Sequence, residues 1–292
     1  DYARDMVPLN NGDVIVAGKS NTQADGKFLI MRISGTDGSI VWTREIDYVG
    51  GKSENVEDIV ADPATGDTYF CGTTSVLNSS NNFNYQYWYV NKVNGSDGTV
   101  AWASPYVYGT GSSNASPDAI VFGESDSMTT VVVAGAFADP GNKGRMVKLN
   151  SSDGSVVWTI TGNTTNGQFY ALETDVSGNI YVGGENSNQA TIAKYNSSGA
   201  SQWNKTYAPN GGSFNRWNYL DYDPVSDDVY VNGLIAGPTS TGGSANDIGT
   251  ARYDGASGTQ VWARLVNGAN DGNDSGSGVF VDVSGDVYSW GS

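Results

Sequence analysis

Histidine is absent from the 292 residues, and cysteine occurs once, at position 71. Without His there is no Ser-His-Asp or Cys-His nucleophile arrangement and no imidazole-ligated metal. A single Cys builds neither a disulfide framework nor a Cys-based zinc site within the chain. Cys71 sits in the apolar pattern TYFCG, where it reads as a small buried hydrophobe. Basic residues are also scarce, 15 Lys and Arg against 31 Asp and Glu, giving a net charge of -16. Such a surface repels nucleic acid and anionic membranes, so neither is expected as a partner. No apolar run approaches the roughly 18 residues that span a bilayer, and DYARDMVPLN has no signal-peptide pattern. A start without Met points to a processed product or a piece of something longer. Helical periodicity is missing throughout.

What the chain does contain is repetition. Residues 148–158 read KLNSSDGSVVW, and residues 32–42, 92–102, 194–203 and 252–262 repeat that pattern as RISGTDGSIVW, KVNGSDGTVAW, KYNSSGASQW and RYDGASGTQVW. Each is a strand, a tight turn ending in Gly, and a second strand carrying Trp, the turn using residues that accept positive φ cheaply. Upstream lie DVIVAG at 13–18, DTYFCG at 67–72, TVVVAG at 130–135, NIYVGG at 179–184, DVYVNG at 228–233 and DVYSWG at 286–291. Each of these follows a short apolar strand and a turn. One repeat is therefore four strands, A to D.

Four antiparallel strands per repeat, stacked radially, describe an all-β fold, the β-propeller. The blades are expected at about 2–48, 55–108, 117–161, 168–208, 217–267 and an incomplete 277–292, forming one domain. Strands C and D of the sixth unit have no counterpart after Gly291, so the expectation is a chain that continues past Ser292 or an edge covered by a partner. A to B and C to D turns are short and share one face. The B to C and D to A connections vary in length and define the expected functional face.

The repeat D-hh-x-D-x-x-G-D-V-Y-V-x-G followed by K/R-Y-x-x-x-G-x-x-x-W resembles SBBP-type β-propeller repeat proteins, within the wider quinoprotein-like (PQQ-like) superfamily. The resemblance spans nearly the whole chain, and Asp254, Gly258 and Trp262 are similar to the Trp-docking pattern of quinoprotein dehydrogenases. It implies a propeller in large secreted or surface proteins and carries little about activity. The adjacent cysteines of the quinone enzymes have no counterpart beside Cys71. Ser151, Asp153 and Trp158 lie where a sialidase Asp-box would, but Gly154 directly follows Asp153 and breaks its spacing.

Several groups of residues are candidates for chemistry. Arg32, Lys92, Lys148, Lys194 and Arg252 hold one repeat position, and Asp62, Glu124, Asp175, Asp223 and Asp282 close strand A; pairing between the two sets is the expected role. Calcium takes six to eight oxygen ligands, and Asn270, Asp271, Asn273 and Asp274 form the densest acidic-amide loop. Solvated turns are the competing reading. Sequons at Asn78, Asn94, Asn114, Asn150, Asn163, Asn196, Asn204 and Asn273 agree with a secreted glycoprotein, although composition alone yields several. Phe83, Tyr85, Tyr87 and Trp88 crowd the longest B to C connection, and with Phe214 and Trp217 they form the expected binding surface, since aromatic side chains anchor interfaces. The alternative for Trp88 is packing between blades.

The leading functional reading is a non-enzymatic extracellular propeller, a structural or adhesive interaction module of a secreted or cell-surface protein or assembly. Its expected partner is a protein, or another copy, at the exposed blade edge or the long-loop face. A glycan- or calcium-binding propeller is the alternative, and a carboxylate-based glycoside hydrolase or lyase the second.

Overall fold

Asp-Gly turns set the strand spacing. In three of them the carboxylate of Asp37, Asp97 or Asp153 accepts the backbone N–H two residues on, at 3.0, 2.9 and 2.9 Å. This local bond offers the chain a turn in place of a longer strand. It also holds all three carboxyls below their ordinary pKa.

The computed structural model describes residues 1–292 except 22–25, 51, 79–82, 112, 124–127, 139–140, 163–166, 211–213, 238–245 and 269–271. The first sheet contains β1 (Tyr2–Pro8), β2 (Val14–Ser20), β3 (Lys27–Ile33) and β4 (Ile40–Ile46). The second holds β5 (Glu54–Ala61), β6 (Thr68–Asn78), β7 (Phe83–Val93) and β8 (Tyr106–Tyr108). β9 (Ala115–Phe122), β10 (Thr130–Ala138), β11 (Asn142–Asn150) and β12 (Val156–Thr161) make the third. The fourth is β13 (Gly167–Thr174), β14 (Ile180–Asn186), β15 (Gln189–Tyr195) and β16 (Ser201–Tyr207). β17 (Arg216–Asp223), β18 (Asp228–Ala236), β19 (Asn246–Asp254) and β20 (Gln260–Val266) form the fifth, and β21 (Gly276–Val281) and β22 (Val287–Gly291) the sixth. In every sheet the strands lie side by side in chain order and antiparallel, and the sixth has two strands rather than four.

The chain divides into two compact units, one built on β1–β10 with most of β11 and β12, the other on β13–β22. Within each unit the core lies between consecutive sheets. β6 shows why its sequence is apolar on both sides: Tyr69 and Cys71 join a cluster with Val131, Val133 and Leu149 of the third sheet. Phe70, between them, points the other way and joins Ile15, Phe28 and Ile30 of the first. Strands covered on both faces read as continuous apolar runs. In the second unit Tyr181, Ile192, Trp217, Val231 and Tyr253 fill the corresponding layer.

The glycine ending each second strand has a steric cause. The first strand of each sheet carries a bulge, for example between Val56 and Asp58 and between Trp217 and Tyr219. A Cβ at Gly72 would run into the Asn55 carbonyl, and one at Gly233 into that of Arg216. A close backbone approach beside a bulge leaves room for hydrogen only.

Candidate functional site

The repeated cation does not sit free on a face. Arg32 pairs with Asp13 at 2.8 Å, Lys92 with Asp67 at 2.6 Å, Lys194 with Asp175 at 3.3 Å, and Arg252 with Asp228. Asp175 is the expected partner. In the first, second and fifth sheets the partner is instead the Asp that opens the second strand, because that residue lies almost opposite the cation in the ladder. Ile15, Tyr69, Tyr181 and Tyr230 face Arg32, Lys92, Lys194 and Arg252 directly. Where the facing residue is Tyr, the cation rests over its ring, at 5.2 Å for Lys92, 4.8 Å for Lys194 and 5.8 Å for Arg252.

These groups also reach the next sheet. Arg32 Nη1 and Trp42 Nε1 both donate to Gly95 O, at 2.8 and 2.9 Å. Tyr69 and Trp102 both donate to Ser151 O. Lys194, Tyr181 and Trp203 converge on Gly255 O at 3.0, 3.3 and 3.1 Å. Gly95, Ser151 and Gly255 share one repeat position, so each is the same staple, joining an indole and a second donor, Arg32, Tyr69 or Lys194 with Tyr181, to a turn carbonyl of the following sheet. The indole then lies on a turn glycine with φ near +70°: a Cβ at Gly98, Gly154 or Gly258 would meet Trp42, Trp102 or Trp203. Satisfied buried donors of this kind fix packing.

At the fifth sheet the cation has a partner in its own sheet. Arg252 bonds Asp228 of its own sheet, and among the described residues the Trp262 indole N–H meets no acceptor. A pocket of about 270 Å³ lies beside Arg252, lined also by Asp223, Tyr230, Val283 and Gly285. In the two-stranded sixth sheet Tyr288 is 54 % exposed, whereas Tyr69, Tyr181 and Tyr230 at the same repeat position are 4 % exposed or less. Phe280 and Trp290 are each 52 % exposed. Tyr288 donates to Asp282 at 3.4 Å, and the negative field of Asp282 pushes the Tyr288 hydroxyl pKa up. Among the described residues the Asp286 carboxylate has no side-chain partner.

The expected aromatic surface is rearranged. The connection of 73–87 is mostly strand: β6 and β7 pair continuously from Thr68↔Val93 to Asn78↔Phe83. Trp88 and Trp217 are 0 % exposed, so both belong to the core and neither faces a ligand. Trp88 donates to Ala136 O at 3.1 Å, and Trp217 stacks on Tyr207. Alternation of side chains along a strand turns Trp88 inward. Tyr85 and Tyr87 are half-buried on β7, while Phe214, with φ of +76°, is exposed in the second unit.

Of the calcium candidates, Asn270 and Asp271 lie outside the described residues. Asn273 accepts from Asn246, and Asp274 accepts the Gly268 N–H at 2.6 Å, so both carbonyl and carboxylate serve the loop itself. Among the described residues no group of three or more acidic or sulfur ligands could hold a metal. Of the sequon asparagines, Asn163 lies outside the described residues; Asn114, Asn204 and Asn273 are exposed. Asn94 and Asn150 use their side-chain amides to hold turns, as donors to Thr99 and Ser155.

A set of half-buried carboxylates escaped the sequence reading. On the first strands of sheets in the first unit, Asp5 accepts the Ile59 N–H and Asp58 accepts that of Ile120, each bridging to the next sheet at 3.3 and 2.8 Å. Burial, then the hydrogen-bonded Asp5 carboxyl, lifts the Asp58 pKa well above the usual carboxylate range. Burial, then Glu57, pushes Asp118 up to about 8. Glu57 forms an ion pair with Arg4 at 3.3 Å. Glu57 and Asp118 occupy bulge positions, and only pairing registers, which the sequence does not display, bring the four acids together.

No family model and no curated protein matches the chain. Among solved structures it is similar to Saccharomyces cerevisiae Sqt1, with 11% identity and a TM-score of 0.61 over 99% of this chain and 80% of that one. A Lactobacillus plantarum protein gives 12% identity and a TM-score of 0.57 over 95% and 75%. Chaetomium thermophilum Sqt1 gives 12% and 0.51 over 96% and 75%. These likenesses, with the six antiparallel sheets, show the fold: a β-propeller.

Proposed function

We propose that this β-propeller is a non-enzymatic interaction module, of the SBBP or quinoprotein-like repeat type, serving a structural or adhesive role outside the cell. The observation that carries the reading is that ionic groups of the repeat are engaged in packing, Arg32 and Lys194 each pairing with an Asp of their own sheet and donating to a turn carbonyl of the next. Held in this way, these groups fix packing instead of converging on a substrate position. Net charge of -16 and exposed sequons at Asn114, Asn204 and Asn273 agree with an extracellular setting.

A phage-displayed library of extended peptides tests it. Selection on the chain should enrich binders that lose at least tenfold in affinity when Tyr85 and Tyr87, half-buried on β7, are both replaced by Ser. Failure to enrich, or binders indifferent to that double replacement, would remove this surface as the module's contact.

A further inference from the structure

The turn between β1 and β2 holds its own nucleophile and electrophile side by side. We propose that Asn11 is a site of spontaneous deamidation, at which the Gly12 nitrogen displaces the Asn11 side-chain amide and the product slackens the tie between the first and second sheets.

Asn-Gly steps favour this reaction because glycine brings no Cβ to obstruct the attacking nitrogen. The chain has six, at Asn11, Asn94, Asn166, Asn210, Asn232 and Asn267. Asn166 and Gly211 lie outside the described residues, which removes two of them from comparison. The remaining four differ in their surroundings. Asn232 is 0 % exposed within β18, and its amide donates to Thr250. Gly95 N–H donates to Asp67 at 2.9 Å and Gly268 N–H to Asp274 at 2.6 Å. The attacking species is the deprotonated amide, and a carboxylate in contact with it opposes that negative charge. Gly12 N–H instead donates to a neutral carbonyl, Leu9 O, at 3.0 Å. Asn11 and Gly12 are both exposed, and a Cβ at Gly12 meets nothing within 4 Å, so the attack is unobstructed.

The carbonyl under attack is prepared as well. Asp13 N–H donates to Asn11 Oδ1 at 3.1 Å, and that oxygen collects negative charge as the ring closes. A donor already aimed at it stabilises the tetrahedral intermediate. The bond from Gly12 N to Asn11 Cγ forms, the Cγ–Nδ2 bond breaks, and the proton lost from Gly12 departs with the amide group as ammonia. Water then opens the cyclic imide at either carbonyl, leaving aspartate or isoaspartate.

The product acts on the staple. Asn11 Nδ2 donates to Asp13 Oδ2 at 3.0 Å, and the same oxygen accepts Arg32 Nε and Nη2, each at 2.8 Å. Arg32 Nη1 continues to Gly95 O of the second sheet. Conversion deletes the Asn11 donor and sets a second carboxylate against Asp13, so the two compete for one guanidinium. Asp13 Oδ1 also accepts the Gly35 N–H at 3.1 Å, which makes that amide a reporter of the change.

The test is incubation of the folded 292-residue chain at mildly alkaline pH, followed by peptide mapping in a mass spectrometer. Asn11 should convert at least tenfold faster than Asn94 in the folded chain, and the two should convert at similar rates in urea, where only the shared Asn-Gly sequence remains. Conversion at Asn11 no faster than at Asn94 in the folded chain, or a difference that persists in urea, would overturn the site. Asn11→Asp supplies one product directly. Hydrogen exchange at Gly35 should quicken roughly tenfold in that variant, as for loss of one net hydrogen bond, while the Thr99 amide, held by Asp97 in the second sheet, stays unchanged. An unaltered Gly35, or equal quickening at Thr99, would overturn the effect on the staple.

Discussion

Gly38 and Gly98 hold the same place in the repeat and adopt the same turn, with φ of +74° and +68°, yet their surroundings differ. A Cβ at Gly38 meets nothing within 4 Å, whereas one at Gly98 would stand 2.6 Å from the Trp42 ring. Replacing either by Ala forces an L-residue into the left-handed region, at a cost of about 1–2 kcal/mol. Gly98→Ala adds the displacement of a side chain that is 9 % exposed, and overpacking of this kind costs roughly 1–3 kcal/mol. It also threatens the 2.9 Å bond from Trp42 Nε1 to Gly95 O, with a net contribution of about 0.5–1.5 kcal/mol. Gly98→Ala should therefore destabilise by about 1–4 kcal/mol more than Gly38→Ala. Both positions lie in the first unit, so urea unfolding of the two variants compares like with like. Trp42→Leu should shrink the difference by relieving the clash. Equal midpoints for the two Ala variants would refute the staple as an energetic element.

Asp118 gives a pH test. Its folded pKa of about 8 lies above the unfolded value near 3.9, so the folded state binds the extra proton and stability falls as pH rises between those limits. Asp118→Asn should gain roughly 2–5 kcal/mol over the parent on moving from pH 4 to pH 9; a pH-independent difference between the two proteins would contradict the burial argument. Asp175 runs the other way: Asn179, Ser177 and Lys194 together outweigh its desolvation and lower its pKa, so its contribution is present above about pH 4 and is lost on acidification through the folded value. Lys194→Met should cost about 3–5 kcal/mol at pH 7 by leaving Asp175, 3 % exposed, without its cation, and a loss under 1 kcal/mol in denaturant unfolding would count against that pairing. Trp88→Ala should cost about 3–5 kcal/mol and Tyr85→Ser about 1 or less, as core against half-buried positions; similar unfolding midpoints would reverse the assignment of Trp88 to the core. If Asn114, Asn204 or Asn273 bears a glycan, enzymatic deglycosylation of native material should lower its mass, and an unchanged mass would remove that support for an extracellular site.

The sheets were legible because each repeat announces its own turns. The acidic or amide residue, the turn Gly and the Trp recur at fixed offsets, and β-strand alternation does the rest. What the sequence did not display were relations across pairing registers. Asp13, Asp67 and Asp228 replace the expected carboxylates because the ladder sets them beside the cation, and a one-residue change of register would have reversed that choice. Trp88 and Tyr85 look alike in an aromatic run, yet strand alternation and the neighbouring sheet separate core from surface. The carboxylates at Glu57 and Asp118 were hidden for the same reason, since a bulge shifts the alternation locally.

The staples all point one way along the chain. Trp42 leans on the second sheet, Trp102 on the third and Trp203 on the fifth. In each case an outer strand is fastened by a turn that comes later in the sequence. Mechanical or thermal loss of a sheet thus releases the strand before it, and fraying within each unit travels backwards, toward earlier residues. During synthesis the same asymmetry leaves every newly made sheet with its last strand unfastened until the next turn emerges.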